Sequence, residues 1–168
     1  QSLGKRGIKI ETQAAVKSIA KEGDGLAVAY ERKGKEQSVT ADKVLMAVGR
    51  RANVGTLNLA DIGVEFSPRG IAVDGNMQTN VPHVYAVGDV NGLMMLAHAA
   101  TFQGIRALDA IMGVDDNLRL DVIPAAVFTM PEVGMVGLTE DDCKAQGIEY
   151  VAKKAFFRAN GKAVCLGE

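Results

Sequence analysis

Among the side chains able to do chemistry, Asp89 has the most suggestive surroundings. It follows Gly88 at the end of the short apolar run Val84–Val87, and an amphipathic helical pattern opens a few residues later. Strand, carboxylate, helix is the order in which an α/β sheet presents a binding crevice at the carboxyl ends of its strands. A carboxylate there can accept hydrogen bonds from two sugar-like hydroxyls, and a glycine lets the backbone approach a ligand closely. The other candidates are weaker. His83 sits in a Pro turn and reads as a solvated loop residue. Glu140-Asp-Asp142 opens a helix and has no His or Cys ligand set around it, so it does not read as a metal site. Cys143 and Cys165 stand 22 positions apart, in neither metal nor redox spacing, and read as two reduced thiols.

The elements that must position these residues can be sketched from pattern. The first fifty residues read as a β meander with short β-prone runs at Ile8–Ile10, Val16–Ala20, Leu26–Tyr30 and Val44–Val48. The turn signals Glu22-Gly-Asp-Gly25 and Arg32-Lys-Gly-Lys35 separate them. Val44–Val48, closed by Gly49-Arg50, is continuous enough for a buried strand. Leu57–Gly63 predicts a short helix and Gly70–Asp74 a short strand. From Ala97 the apolar positions Phe102, Ile105, Leu108 and Met112 recur at helical spacing, and Gly113 is placed to cap the end. That helix would be about 16 residues and roughly 24 Å long. After the polar stretch Gly113–Asn117 the pattern predicts a hairpin, Ala125–Phe128 and Val133–Leu138, turning at Met130-Pro-Glu. Thr139 then caps a short helix that Gly147 ends, and Tyr150–Phe157 and Ala163–Leu166 read as further strands.

Composition narrows the function classes. With 48% hydrophobic residues the 168-residue chain can build a sizeable core, which argues against disorder. A net charge of −1 with both signs mixed argues against nucleic acid and anionic membrane partners. The absence of Trp and the few aromatics disfavour stacking platforms for single strands. No apolar run approaches the roughly 18 residues needed to span a bilayer. The chain reads as soluble and cytoplasmic.

Taken together, Thr79…Val81-Pro82…Tyr85-Ala86-Val-Gly-Asp89 and Met95-Leu-Ala-His98 resemble the second flavin-binding motif of the pyridine nucleotide–disulfide oxidoreductases. The Met-Leu-Ala-His wording resembles the branch of that family formed by the dihydrolipoamide dehydrogenases. The resemblance implies that Asp89, with Gly88, binds the ribityl chain of FAD. It also implies that backbone groups of Met95, Leu96, Ala97 and His98 meet the flavin ring, on which a helix starting near Ala97 would point its positive end. His98 is a proton carrier by type, but the resemblance assigns it to flavin contact and puts the acid–base His near the C-terminus, beyond this chain. Ala47-Val48-Gly49-Arg50, with Arg51 and Asn53, resembles the segment lining the NAD site. Ala14, where relatives carry Val, resembles a stretch that brushes the adenine. Ile123-Pro…Val127–Val133…Val136–Glu140 and Lys154–Asn160 resemble the opening of the family's dimerisation domain.

The family also needs an N-terminal Gly-x-Gly-x-x-Gly turn for FAD, a second one for NAD, a redox Cys pair and a His-Pro-x-x-x-Glu acid–base pair. None occurs here. The resemblance therefore implies an internal fragment of mixed α/β and α+β class. Residues 1–49 would end the NAD-binding domain, a β meander. Residues 50–117 would be the C-terminal part of a Rossmann-like FAD-binding domain, and residues 118–168 would begin the antiparallel-sheet dimerisation domain. The parent would pass electrons from dihydrolipoamide through a redox disulfide and FAD to NAD. Its partners would be the remainder of its own chain, a second subunit of a homodimer and the components of a 2-oxoacid dehydrogenase complex. A mercuric or glutathione reductase type, and a non-catalytic interface module, remain as alternatives. The Val44 and Val84 runs would then be central strands lacking neighbours, which predicts an aggregation-prone chain or one rescued by oligomerisation.

Overall fold

The computed structural model describes residues 2–167. The chain divides into two compact units, one reaching Ala52 and the other starting at Asn53. The first opens with one helical turn, α1 (Ser2–Lys5), and is built on three antiparallel strands in the order β1 (Ala14–Glu22), β2 (Gly25–Arg32) and β3 (Lys35–Ala41). Local chemistry sets both hairpins. Arg32 pairs with Lys35 across a two-residue loop in which Lys33 and Gly34 have φ of 52° and 72°. Positive φ at both positions is the turn whose twist matches a right-twisted strand pair. The β1–β2 turn likewise has two residues, with Gly23 at φ 58°. Tyr30 is buried on β2 and donates from its hydroxyl to Gln37 Oε1, 3.0 Å away on the paired position of β3. Arg32 closes the sheet's other end on Glu11 and on the Thr12 carbonyl.

The meander therefore holds over Val16–Ala20 and Leu26–Tyr30, but two expected strands do not form. Ile8–Ile10 is irregular, and so is Val44–Val48, where Leu45 is 89% and Val48 87% exposed. A continuous apolar run becomes a buried strand only when neighbours satisfy its backbone on both edges, and no described strand pairs with this one.

The second unit has a small core of Leu59, Val64, Ile71 and Ala86, with Val54, Val73, Val81, Val84 and Val90 packed against it. Leu57–Gly63 yields a single 3-10 turn, Leu59–Ile62, stopped by Gly63 in the left-handed region. The strand expected at Gly70–Asp74 shrinks to β5 (Gly70–Ile71), paired with β4 (Phe66–Ser67). Val84–Val87 is extended but is not a sheet strand. The Thr79 amide donates to the Val84 carbonyl at 2.9 Å and the Ala86 amide to Met77 at 3.0 Å, so it folds back on Met77–Thr79 as a short antiparallel bridge. Every described strand pair is antiparallel. The parallel sheet of a Rossmann-like domain is thus not formed among the described residues.

Helix α2 (Ala97–Met112) has the expected sixteen residues, and Gly113 at φ 69° returns its amide to Ala110 and Asp109. Its buried stripe is Ala99, Gln103 and Ala107, whereas Phe102, Ile105, Leu108 and Met112 are exposed. The apolar spacing identified the helix but not its packed face. A hairpin follows, β6 (Ala125–Val127) with β7 (Val133–Met135), joined through a cis Met130–Pro131 bond. Helix α3 (Glu140–Gln146) is capped reciprocally by Thr139 and Asp142 and stopped by Gly147, as its sequence predicts. Two later expectations fail. Tyr150–Phe157 pairs with no described strand and exposes Val151, Phe156 and Phe157, and Ala163–Leu166 lies in helix α4 (Gly161–Leu166). Asn160 caps the Ala163 amide and Gly167 takes the left-handed stop, so end signals override the β-prone apolar run. Cys143 and Cys165 are free thiols, the first buried and the second exposed.

Candidate cofactor site

The site grows out of the fold-back at Val81–Val84. Pro82 and His83 occupy the middle of this turn, where the Val84 amide donates to Val81 at 3.2 Å and His83 has φ 65°. Pro followed by a positive-φ residue gives the type II geometry, and His83 itself is exposed. Thr79, buried beneath, exchanges bonds of 3.1 and 3.2 Å with the Val81 backbone. The chain then runs extended through Val87 and turns sharply into a 3-10 turn over Gly88–Asn91.

Two buried amides hold that turn. Gln103, on the buried stripe of α2 and 3% exposed, accepts from the Gly88 amide at 2.7 Å and from Asn91 Nδ2 at 2.8 Å. Asn91 also donates to the Ala86 carbonyl at 3.0 Å and accepts from the Leu93 amide at 3.0 Å. Gly88 has φ 78°, and a Cβ on it would stand 3.2 Å from Ala100 Cβ. The turn therefore lies directly against the first turns of α2. Below it, Gly92 meets Gly70 so closely that a Cβ on Gly92 would fall 1.8 Å from the Arg69 carbonyl oxygen.

Of the residues singled out in the sequence, Gly88 is buried, Asp89 exposed, Met95 and Leu96 half-buried, and Ala97 and His98 exposed. These six are brought together by the turn–helix contact. Leu96 begins α2 with an extended backbone and no side-chain cap. The first amides of the helix thus have no intrahelical acceptor and point outward with the positive end of the dipole. His98 turns its imidazole away along the chain, Nε2 lying 2.7 Å from the Pro124 carbonyl. Ala14 and Ala47–Arg50 belong to the other unit. Ala14 starts β1 half-buried, and Ala47, Val48, Gly49 and Arg50 are exposed on irregular backbone, with Gly49 at φ 105°. Sequence reasoning missed Gln103 and Asn91. The available signal was Gln103 midway between Ala99 and Ala107, a polar residue in an i, i+4 stripe of small ones. Among the described residues no group of three or more His, Cys, Asp or Glu could hold a metal ion.

Residues 1–104 match the model of the pyridine nucleotide-disulphide oxidoreductases, and residues 123–168 match that of their dimerisation domain. The chain belongs to the pyridine nucleotide-disulphide oxidoreductase family. It is 43% identical over 168 residues to the dihydrolipoyl dehydrogenase of Bacillus subtilis (strain 168), an alignment covering 99% of this chain and 36% of that protein. It is 40% identical over 167 residues to the dihydrolipoyl dehydrogenase of Geobacillus stearothermophilus, with the same coverage. The crystal structure of LpdA from Mycobacterium tuberculosis superposes with a TM-score of 0.82 at 27% identity, over 99% of this chain and 36% of LpdA. The chain thus spans about a third of the length of these relatives.

Proposed function

We propose that this chain carries part of the FAD and NAD sites of a homodimeric flavoprotein of the dihydrolipoyl dehydrogenase type, which moves electrons from dihydrolipoamide to NAD. One observation carries the reading. The Gly88–Asp89 turn packs against the uncapped start of α2, which supports a site in which the exposed Asp89 carboxylate and the first helix amides serve one ligand. These residues fit a flavin dinucleotide. Asp89 would accept hydrogen bonds from polyol hydroxyls, the Ala97 and His98 amides would hold the electron-rich part of the ring, and Gly88 keeps the turn tight. When bound, FAD supplies the two-electron redox chemistry. The protein's own residues bind and orient, and the dipole of α2 favours the more negative, reduced state. Ala47–Arg50 and Ala14 are assigned to the nicotinamide nucleotide by their resemblance to the family's segments. Cys143 on α3 and Cys165 on α4 take no part, and residues 1–168 alone are inactive in this reading.

The test replaces the matching third of the Bacillus subtilis enzyme with residues 1–168 and measures flavin absorbance after desalting, together with dihydrolipoamide-dependent NAD reduction. The expected result is a yellow, active chimera. Asp89→Ala should weaken flavin retention by about a hundredfold, from two charge-assisted hydrogen bonds of about 1.5 kcal/mol each. A folded but colourless chimera would overturn the flavin assignment. Full retention in Asp89→Ala would overturn the role of the carboxylate.

A further inference from the structure

After α2 the chain runs back along the helix, and two side chains of α2 fasten the returning segment. Near the middle, Arg106 bonds Asp116 Oδ2 through Nε and the Leu118 carbonyl through Nη2, both at 2.6 Å. At the other end His98, the second residue of α2, reaches 26 positions along the chain to the Pro124 carbonyl at 2.7 Å. A carbonyl only accepts, so Nε2 carries the hydrogen. Pro124 is followed at once by β6, the first strand of the segment matching the dimerisation domain. Ile123 beside it is buried. A cavity of about 730 Å³ opens at this joint, with His98 as its wall on the α2 side and Pro124, Ala126, Met135 and Leu138 among the residues opposite. The imidazole thus makes a side-chain hydrogen bond from the start of α2 to the residue that precedes the hairpin.

We propose that His98 is a positioning residue that couples the flavin-facing turn to the dimerisation hairpin. The proposal rests on the flavin reading above and deepens it. Met95–His98 offers its backbone to the flavin, while the side chain of the last of these residues grips the peptide that launches β6. Ordering one end orders the other, and such coupling is reciprocal: flavin tightens the dimer by the factor by which dimerisation tightens flavin.

The test uses the protein in its full-length form, stripped of FAD and then reloaded, and measures subunit dissociation with and without FAD. Three variants accompany the wild type: His98→Ala, His98→Phe and His98→Gln. Glutamine places an amide donor where Nε2 stands, phenylalanine keeps the ring without a donor, and alanine removes both. The flavin-dependent tightening should fall about fivefold in His98→Ala and His98→Phe, the worth of one net hydrogen bond, and return to within about twofold in His98→Gln. Unchanged coupling in His98→Phe, or a glutamine variant no better than phenylalanine, would overturn the role of the imidazole. If His98→Ala does not fold, the phenylalanine and glutamine pair decides alone. A wild type that retains no flavin would overturn the flavin reading itself, and this proposal with it; flavin retained with unchanged coupling would sink only the coupling.

Discussion

Replacing Gln103 with leucine tests the architecture of the site at its least exposed point. The side chain is 3% exposed, and its Oε1 is the acceptor for both the Gly88 amide and Asn91 Nδ2. Leucine keeps the bulk and removes the acceptor. The second Asn91 hydrogen keeps the Ala86 carbonyl, so two donors lose their oxygen acceptor: the buried Gly88 amide, and an Asn91 hydrogen left with only the weak acceptor Met77 Sδ at 3.9 Å. Each such donor costs about 1–3 kcal/mol, and the added apolar surface of leucine returns about 1 kcal/mol. The net loss should be about 1–5 kcal/mol. Urea unfolding of the proposed chimera with the Bacillus subtilis enzyme, loaded with FAD, reads this as a lower midpoint at an unchanged slope. Flavin release should come earlier in the same titration, because Gly88 is the residue set free. Thr101→Ala on the exposed face, which loses only a local bond to the Ala97 carbonyl, should stay within about 0.5 kcal/mol of wild type. If Gln103→Leu also falls within that margin, the buried amide pair does not hold the turn.

Gly92→Ala would drive a Cβ to 1.8 Å from the Arg69 carbonyl at φ 69°, so the loss should reach about 3 kcal/mol or more; a variant melting with wild type would show that the two segments do not cross this closely. The Arg106 guanidinium holds the Asp116 carboxyl below its usual range, helped by the Leu118 amide. A depressed carboxylate stabilises fully above its unfolded value of about 3.9, and its contribution is lost as pH falls through the lower folded value. Asp116→Asn should therefore lower stability at pH 7 and flatten its fall below about pH 4, and an acid limb as steep as that of wild type would exclude Asp116 from it. Residues 1–168 alone expose Leu45, Val48, Leu108, Met112, Phe128 and Phe157. Sedimentation should find them self-associated at micromolar concentration, and a monomeric sample that unfolds cooperatively would count against this.

What was legible in the sequence was what local chemistry decides. Gly113 and Gly147 end their helices because the left-handed cap needs no partner from elsewhere. Lys33-Gly34 turns because its own backbone suffices. Legibility failed where a segment's state depends on neighbours. Val44–Val48 and Tyr150–Phe157 have the composition of strands, and no described strand pairs with them. Ala163–Leu166 failed differently: an apolar run of ambiguous composition went to the six-residue helix α4, whose ends are capped at Asn160 and Gly167. In the candidate site, the adjacency of Gly88-Asp89 and Met95–His98 was legible because order along the chain mirrors neighbourhood in space. Gln103 was hidden because the more hydrophobic stripe of α2 drew the eye, whereas the buried stripe is the one whose small residues let the turn come close.

The two segments resembling cofactor sites differ in what holds them, and this bears on how the site is assembled. Gly88–His98 is fixed by residues of its own neighbourhood: Asn91 and Gln103 carry the turn, the Gly70–Gly92 crossing sets its height, and α2 supplies the amides. A ligand arriving there pays little ordering entropy, because the backbone already has its bound shape. Ala47–Arg50 lies on exposed, irregular backbone with apolar Leu45, Met46 and Val48 turned to solvent. Any ligand using that segment must also bear the cost of ordering it, about 1–2 kcal/mol per residue fixed. Over four residues that exceeds what one or two backbone hydrogen bonds return. The physics therefore separates the two: the turn proposed for flavin is preorganised by this chain, whereas the segment proposed for the nicotinamide nucleotide has still to be ordered.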